Sequence, residues 1–373
     1  MMRYKLLGRS GLRVSELALG SMTFGNDWGW GSDRDEAKAV FDAYAEAGGN
    51  FIDTANIYTD GNAERLVGEF IAKDRGHFVV ATKYSGAVGM YSATAGAQEA
   101  VAREHSTDGD ISRSGNSRKN MMQSVEDSLH RLQTDYIDLY YLHFWDYTTK
   151  IDEVMRGLDD LVRSGKVLYV AFSDTPAWIT AQASLLADLR GWAPLTAMQT
   201  EYSLVERTPE RDLLPMARAL DLAVVAWGPL GGGVLSGKYA GGPALRQGVD
   251  GPISEERKRF AADRLPERQR LIAHEVGRVA DQLGVNSARV ALAWLRQQAH
   301  RWGVVVPLVG ARTLAQLKDN LACLDIELTS DQLTALDAVS SIDLGFPYTM
   351  IETDLIRALK TSGKYHLLDN HRA

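Results

Sequence analysis

The hydrophobic positions of this chain form short, nearly continuous apolar runs, separated by longer segments with a different spacing. Continuous runs of this length are typical of strands that are covered on both faces. Among the segments between them, residues 120–133 and 152–165 carry apolar residues three and four positions apart, as amphipathic helices do. The predicted strands are residues 16–22, 50–54, 78–83, 137–143, 166–174, 196–202, 222–228 and 304–310.

Eight strands alternating with helices predict an α/β fold, specifically a (β/α)8 TIM barrel. Residues 4–15 are predicted as a small hairpin that could close the barrel bottom. Two long insertions, residues 85–117 and 239–263, follow strand ends and are expected to be lids over the barrel mouth. Residues 341–373 are predicted as an irregular tail. We expect residues 1–373 to form one domain.

Composition and charge narrow the class of protein. The chain has 373 residues and a net charge of −7, which argues against a nucleic-acid-binding protein. No apolar run is long enough for a transmembrane helix, and the N-terminus lacks the apolar core of a signal peptide. Cys323 is the only cysteine, so an internal disulfide is impossible. We therefore expect a cytoplasmic protein without a metal site, a membrane partner or a nucleic-acid partner. The sequence does not predict the oligomeric state.

Ionisable side chains stand where predicted strands end. Asp53, Lys83 and His143 close three apolar runs, and Tyr58 follows the first of them closely. In a parallel barrel the carboxyl ends of the strands meet at one mouth, which is where such folds do their chemistry. Taken singly, each residue also has a structural interpretation, as a turn cap, a loop aromatic, a solvated strand end or a core-edge histidine. Together they could move a proton.

These four residue types suit carbonyl reduction, which needs a hydride donor and an acid at the carbonyl oxygen. A tyrosine has a pKa of about 10 and is a reluctant acid. An ammonium beside it lowers that pKa, and a carboxylate keeps the ammonium charged. We therefore expect Asp53 to hold Lys83, Lys83 to lower the pKa of Tyr58, and His143 to orient the carbonyl. The same residues leave open a barrel aldolase with Lys83 as Schiff-base nucleophile.

Two further segments could bind a nucleotide. Gly232 to Lys238 has the spacing of a phosphate-binding loop, but residue 239 is tyrosine, so the magnesium-binding hydroxyl is missing and ATP hydrolysis is disfavoured. Glycine backbone N–H groups still suit a pyrophosphate, although a flexible turn remains the alternative. Arg312, Gln316 and Asn320 are predicted to share one face near a helix N-terminus, which favours an adenosine 2′-phosphate. A solvated surface arginine is the alternative.

Several segments together resemble the aldo-keto reductase family, from about Leu6 to about Pro347. FIDTANIY with NAERLVGE, ATK, LHFWD, GKVLYVAFSD, MQTEYSLVER, AWGPLGGGVLSGK and VGARTLAQLKDNL occur in the family's order. The likeness is to its bacterial-type, potassium-channel β-subunit-like branch. It implies a barrel that binds NADPH without a Rossmann domain and reduces an aldehyde or ketone. It also implies that Asp53, Tyr58, Lys83 and His143 are the catalytic tetrad, with Tyr58 as proton donor.

The resemblance also implies a cofactor site. Ser173, Asp174 and Gln199 would hold the nicotinamide carboxamide, and Trp227 would stack on the ring. Many relatives have asparagine at position 174, and a carboxylate there cannot donate to the carboxamide. The implied cofactor residues are Gly20, Ser21, Met22, Asp53, Ser173, Asp174, Gln199, Trp227, Gly228, Pro229, Leu230, Gly231, Gly232, Lys238, Gly310, Arg312, Gln316 and Asn320.

Aromatic residues near the strand-end loops are candidates for the substrate pocket, and the substrate class stays open. These residues are Trp28, Trp30, Tyr84 and Trp145. Because some relatives serve ion channels, an NADPH-binding regulatory subunit with little turnover is the second hypothesis.

Overall fold

A closed barrel of eight parallel strands forms the centre of the molecule, as the sequence predicts. The computed structural model describes residues 1–89, 110–237 and 265–369. Two short antiparallel strands, β1 (Tyr4–Leu6) and β2 (Arg13–Ser15), precede the barrel. The barrel strands follow in chain order and close where the last pairs with the first. They are β3 (Ala18–Gly20), β4 (Phe51–Asp53), β5 (Val79–Tyr84), β6 (Ile137–Leu142), β7 (Val167–Ser173), β8 (Leu195–Glu201), β9 (Ala223–Trp227) and β10 (Val305–Gly310).

Helices lie between the strands and at the C-terminus. The helices predicted over 120–133 and 152–165 are confirmed and start slightly earlier than predicted. The described helices are α1 (Arg34–Glu46), α2 (Asn62–Ile71), α3 (Arg118–Leu132), α4 (Ile151–Arg163), α5 (Ala177–Arg190), α6 (Leu213–Ala219), α7 (Glu267–Leu283), α8 (Ser287–Gln297), α9 (Ala299–Trp302), α10 (Leu314–Leu321), α11 (Ser330–Ser340), α12 (Tyr348–Ile351) and α13 (Asp354–Thr361).

Each barrel strand divides its side chains between two cores. In β5, Val79 and Ala81 belong to the cluster inside the barrel, whereas Val80 and Tyr84 belong to the cluster between barrel and helices. Successive side chains of a strand point to opposite faces, so Lys83 follows Val79 and Ala81 into the barrel. This alternation brings the last inward residue of a strand to the mouth.

The N-terminal hairpin closes the opposite end of the barrel, as expected. Leu7 and Val14 are fully buried in the inner cluster. Gly8 has a φ of +55°, and a Cβ there would lie 2.2 Å from the carbonyl oxygen of Thr196, at the start of β8. The backbone N–H of Arg9 donates to the carbonyl of Asp221, just before β9. The backbone therefore approaches so closely at position 8 that only glycine fits.

The structure differs from the expectations at the C-terminal tail and leaves the lids untested. The tail predicted as irregular contains α12, α13 and a 3-10 turn at Tyr365–Leu367. Residues 90–109 of the first insertion and all of 239–263 lie outside the described residues. Among the residues that the structure describes, no helix is long and apolar enough to span a membrane.

Candidate active site

The four ionisable residues from separate parts of the sequence meet at the C-terminal mouth of the barrel. Asp53 is the last residue of β4, and Lys83 lies one residue before the end of β5. His143 directly follows β6. Tyr58 begins a 3-10 turn, Tyr58–Gly61, that leads into α2. Because β4, β5 and β6 are consecutive neighbours in the barrel, their ends lie side by side.

Lys83 is the centre of this group. Its Nζ donates to Asp53 Oδ1 at 2.5 Å, to the Thr54 carbonyl at 2.8 Å and to Tyr58 Oη at 3.2 Å. The side chains of Lys83 and Asp53 are fully buried. Burial by itself would lower the pKa of Lys83, but the Asp53 carboxylate and the Tyr58 phenol outweigh it and raise that pKa. Lys83 is therefore an ammonium at neutral pH.

The second oxygen of Asp53 also has a partner. Gln199 Nε2 donates to Asp53 Oδ2 at 2.8 Å, across the barrel from β8. Gln199 is expected to hold a carboxamide, and this bond uses one of the two N–H groups of its side-chain amide. Both carboxylate oxygens of Asp53 are thus fixed, which in turn fixes the position of Lys83.

The pKa of Tyr58 differs from the expectation. Burial raises the pKa of the Tyr58 phenol above its usual value of 10, and Lys83 offsets only part of that rise. Lys83 acts in the expected direction, but desolvation of the phenolate is the larger effect. Tyr58 therefore keeps its proton at neutral pH, which is the form that a proton donor needs.

His143 is held neutral beside Tyr58. Burial, and then the nearby Lys83 ammonium, lower the pKa of His143 well below 6.5. Its ring lies edge-on to the Tyr58 ring, with 5.9 Å between centroids. Its Nδ1 is buried and makes no hydrogen bond within the described residues. A neutral imidazole in this place can donate one hydrogen bond to an oxygen at Tyr58.

The turn that carries Tyr58 is strained. Thr59 and Asp60 have φ values of 45° and 55°, and Gly61 follows with 85°. A β-branched residue such as threonine rarely adopts a positive φ, and such conformations concentrate at functional sites. Thr59 is held in place because its Oγ1 donates to the Phe24 carbonyl at 2.8 Å and accepts from Ala63 N at 2.9 Å. The sequence carries no signal that distinguishes Thr59.

Asp174 has a partner within the protein. It lies directly after β7, in a left-handed conformation with a φ of 36°, and its Oδ1 accepts from Trp227 Nε1 at 3.0 Å. Burial raises the pKa of Asp174, and the Trp227 hydrogen bond and the Lys83 charge offset part of the rise. Asp174 therefore orients the indole of Trp227. Ser173, the last residue of β7, is buried next to it.

Asp174 and Trp227 border an acidic cavity of about 440 Å³ at the ends of β7, β8 and β9. Burial raises the pKa of Glu201 in its wall, and the charges of Glu206 and Asp174 raise it further. Carboxylates outnumber cations here, since the charged lining residues are Asp174, Glu201, Glu206, Arg211 and Asp212.

The glycine-rich loop after β9 forms a tight turn. Gly228, Gly231, Gly232 and Gly233 all have positive φ values. A Cβ at Gly231 would lie 2.4 Å from Val205 Cγ2, so the backbone passes too close for a side chain. Pro229 and Leu230 complete the turn, and Lys238 lies outside the described residues. A turn of this kind can present backbone N–H groups to a phosphate.

Arg312 does not lie on the predicted helical face. Thr313 caps the helix by accepting from Gln316 N, so α10 starts at Leu314 and Arg312 precedes it. The Gln316 side chain instead accepts from the Arg312 backbone N–H at 2.9 Å, and Asn320 Nδ2 donates to the Gly310 carbonyl at 3.2 Å. The two amides therefore shape the loop that presents Arg312.

Of the predicted substrate residues, two are buried and two are only partly buried. Tyr84 is fully buried, stacks on Tyr140 and faces the helices, so it does not line the mouth. Trp28 is 3% exposed and contacts Trp30, with 5.8 Å between ring centroids. Trp30 and Trp145 are only partly buried. Alternation along β5 would have excluded Tyr84 once Lys83 was placed inside the barrel.

Buried polar atoms without a hydrogen bond within the described residues gather at the strand ends. Ser21 Oγ, after β3, Thr54 Oγ1 and Asn56 Oδ1, after β4, and His143 Nδ1 are such atoms. Gly20 ends β3, and Met22 is 41% exposed beside it. Buried polar groups are normally satisfied, so these atoms fit a site that binds a polar ligand. Among the described residues, no cluster of three or more His, Cys, Asp or Glu could hold a metal ion.

Comparison with known proteins gives a consistent result. Residues 16–341 match the model of the aldo/keto reductase family. A putative aryl-alcohol dehydrogenase of Saccharomyces cerevisiae is 36% identical, over 94% of this chain and 90% of its own length. An aryl-alcohol dehydrogenase [NADP(+)] of Phanerodontia chrysosporium is 37% identical, over 91% and 86%. Norsolorinic acid reductase A of Aspergillus parasiticus is 35% identical, over 92% and 82%. With the family's model matched from β3 to α11, this chain belongs to the aldo/keto reductase family of oxidoreductases.

Proposed function

We propose that the protein is an NADP-dependent oxidoreductase that interconverts an aromatic aldehyde or ketone and its alcohol, with Tyr58 as the proton donor. The observation that carries the proposal is the Lys83 ammonium, bonded to Asp53 at 2.5 Å and to the protonated Tyr58 at 3.2 Å. The aromatic substrate class is suggested by relatives named for aryl alcohols, and by Trp30 and Trp145 near the mouth.

The bound NADPH would supply a hydride to the carbonyl carbon. Tyr58 would transfer its phenol proton to the carbonyl oxygen as that oxygen gains charge. Lys83 would stabilise the phenolate that remains, and the neutral His143 would donate a hydrogen bond to the same oxygen. Solvent would then return the proton to Tyr58.

The cofactor residues remain part of the proposal. Trp227, oriented by Asp174, would stack on the nicotinamide, with Ser173 and Gln199 at its carboxamide. The turn from Gly228 to Gly232 would hold the pyrophosphate. Arg312 would bind the 2′-phosphate, which would make NADP the preferred cofactor over NAD.

The aldolase alternative is less well supported. A Schiff base needs a neutral amine, and Asp53 and Tyr58 raise the pKa of the buried Lys83 against the lowering effect of burial. An NADPH-binding regulatory subunit differs from the proposed enzyme in turnover alone, so steady-state measurement separates the two.

Turnover with a substrate panel tests the proposal. NADPH oxidation would be followed with benzaldehyde, 4-nitrobenzaldehyde, aliphatic aldehydes, ketones, quinones and sugars, and NADP⁺ reduction with benzyl alcohols. We expect Tyr58→Phe to lower kcat by about 10²- to 10⁴-fold. Tyr4→Phe, in the hairpin at the closed end of the barrel, is the matched control and should keep full activity. Near-normal turnover by Tyr58→Phe would disprove the proton-donor role, and tight NADPH binding without any turnover would favour the regulatory subunit.

A further inference from the structure

A buried glutamate outside the tetrad joins the two elements that carry Tyr58 and Lys83. Glu64 lies in the first turn of α2 and is fully buried. Its Oε1 accepts from Thr82 Oγ1 on β5 at 2.6 Å, and its Oε2 accepts from Arg131 Nε on α3 at 2.6 Å. Glu64 shares a helical face with the buried Val67 and Ile71, so its charge interrupts an otherwise apolar surface.

Glu64 and Thr82 lie close in sequence to Tyr58 and Lys83, respectively. Thr82 directly precedes Lys83, and the two side chains point to opposite faces of β5. Asn62, the first residue of α2, comes directly after the turn that starts with Tyr58. The Tyr58–Lys83 contact lies inside the barrel, and the Glu64–Thr82 contact lies outside it. The backbone segments 58–64 and 82–83 connect the two contacts, so the four residues form a closed ring.

Arg131 also packs against the N-terminal end of α2. A Cβ at Gly61 would lie 2.7 Å from Arg131 Cδ, so the end of the Tyr58 turn packs directly on this arginine. A Cβ at Gly68 would lie 2.4 Å from the Leu132 carbonyl oxygen, which shows how closely α2 and α3 approach. The Arg131 side chain is 11% exposed, and its charge is paired with Glu64. The start of α2 thus has little freedom to shift along β5.

We propose that Glu64, through Thr82 and Arg131, is a positioning residue that sets the distance between Tyr58 Oη and Lys83 Nζ. The inference rests on the proposed function, in which these two atoms form the proton-donating pair. At 3.2 Å their contact is at the long end of hydrogen-bond distances, so a small shift of α2 against β5 breaks it. Misplacement of a reacting group by about 1 Å can lower a rate by about 10²-fold.

Thr82→Val tests the proposal, because it removes the hydroxyl and keeps the branched shape of a buried strand residue. In the full-length protein, with NADPH and 4-nitrobenzaldehyde, we expect kcat to fall by about tenfold or more. The KM for the aldehyde and the Kd for NADPH should change by less than about twofold, because the fold and the cofactor residues are untouched. Thr82→Ser, which keeps the hydroxyl, should restore kcat. Thr196→Val, on β8 at the closed end of the barrel, is the matched control.

The pH profile separates positioning from general destabilisation. Because Lys83 lowers the pKa of Tyr58, loss of their contact should shift the decline of kcat at high pH to a higher pH in Thr82→Val. In Thr82→Ser and Thr196→Val the pH of this decline should stay unchanged. A smaller folded fraction would instead lower kcat by the same factor at every pH. If kcat of Thr82→Val equals that of Thr196→Val, or if Thr82→Ser loses as much as Thr82→Val, the inference is wrong. If Thr82→Val does not fold, Thr82→Ala against Thr196→Ala gives the same comparison. A normal rate in Tyr58→Phe would overturn the proposed function instead, so the two failures are distinguishable.

Discussion

The ammonium of Lys83 lies 3.2 Å from the phenol oxygen of Tyr58, and the same ammonium forms a fully buried ion pair with Asp53. A buried ion pair stabilises a fold only as a pair, because either partner alone leaves an uncompensated charge. The ammonium that contacts Tyr58 is therefore also required for the stability of the fold.

Lys83→Met should be both inactive and unstable. We expect a loss of about 3–5 kcal/mol in the free energy of unfolding, because the Asp53 carboxylate stays buried without its cation. In Asp53→Asn/Lys83→Met most of that stability should return, while kcat stays at background. Urea unfolding of both variants measures the effect. Equal stability of the single and double variants would contradict the pairing argument.

The low pKa of His143 predicts a specific pH dependence of stability. An unfolded histidine titrates near pH 6.5, whereas burial and Lys83 keep the folded His143 neutral to lower pH. The unfolded state therefore takes up a proton first, so this part of the stability is present above pH 6.5 and is lost as the pH falls below it. His143→Gln should lose less stability than the wild type between pH 7.5 and pH 5 in urea unfolding. His130→Gln, an exposed histidine of α3, is the control.

Gly61→Ala should strain the Tyr58 turn. The position has a φ of +85°, and the new Cβ would lie 2.7 Å from Arg131 Cδ. We expect a loss of at least about 1 kcal/mol in unfolding free energy, together with a lower kcat. Gly165→Ala is the matched control, because Gly165 also has a positive φ, +75°, and a Cβ there meets nothing within 4 Å. If both variants unfold at the same urea concentration, the close packing of the turn on Arg131 does not constrain it.

Asp174 should favour the oxidised cofactor if Trp227 stacks on the nicotinamide. The oxidised ring carries a positive charge, and a carboxylate beside it attracts that charge, whereas the reduced ring is neutral. Asp174→Asn keeps an oxygen for the Trp227 N–H but removes the charge. We expect its ratio of Kd for NADP⁺ to Kd for NADPH to rise by about three- to tenfold in calorimetric titration. Asp188→Asn, a surface residue paired with Arg9, should leave the ratio unchanged.

Arg312→Glu tests the cofactor preference. If Arg312 binds the 2′-phosphate, the variant should lose affinity for NADPH by at least about tenfold and change little for NADH, which lacks that phosphate. Fluorescence titration with both cofactors provides the measurement. An equal loss for NADPH and NADH would rule out the assignment.

Local pattern was enough to predict the barrel, and with it the place of Asp53, Lys83 and His143 at the barrel mouth. Continuous apolar runs ending at Asp53 and Lys83 and just before His143 predict parallel strands whose ends converge, and the structure has all eight strands. The start of α10 is also readable in the sequence. The spacing Thr313 to Gln316 is that of a helix cap, which puts Arg312 before the helix. Glu64 is a charged residue on the apolar face of α2, and a charge in that position indicates that an opposite charge is buried with it.

The balance of forces on Tyr58 was decided only by the tertiary structure. The sequence supplies a lysine that lowers the pKa of the phenol, but the folded chain decides how deeply the phenol is buried, and burial is the stronger effect. The bonds from Gln199 to Asp53, from Trp227 to Asp174 and from Thr82 to Glu64 likewise join residues far apart in the chain. The sequence by itself determined which strand-end side chains reach the barrel mouth, because strand periodicity is local. Distances, desolvation and partners depend on long-range packing, which no local pattern encodes.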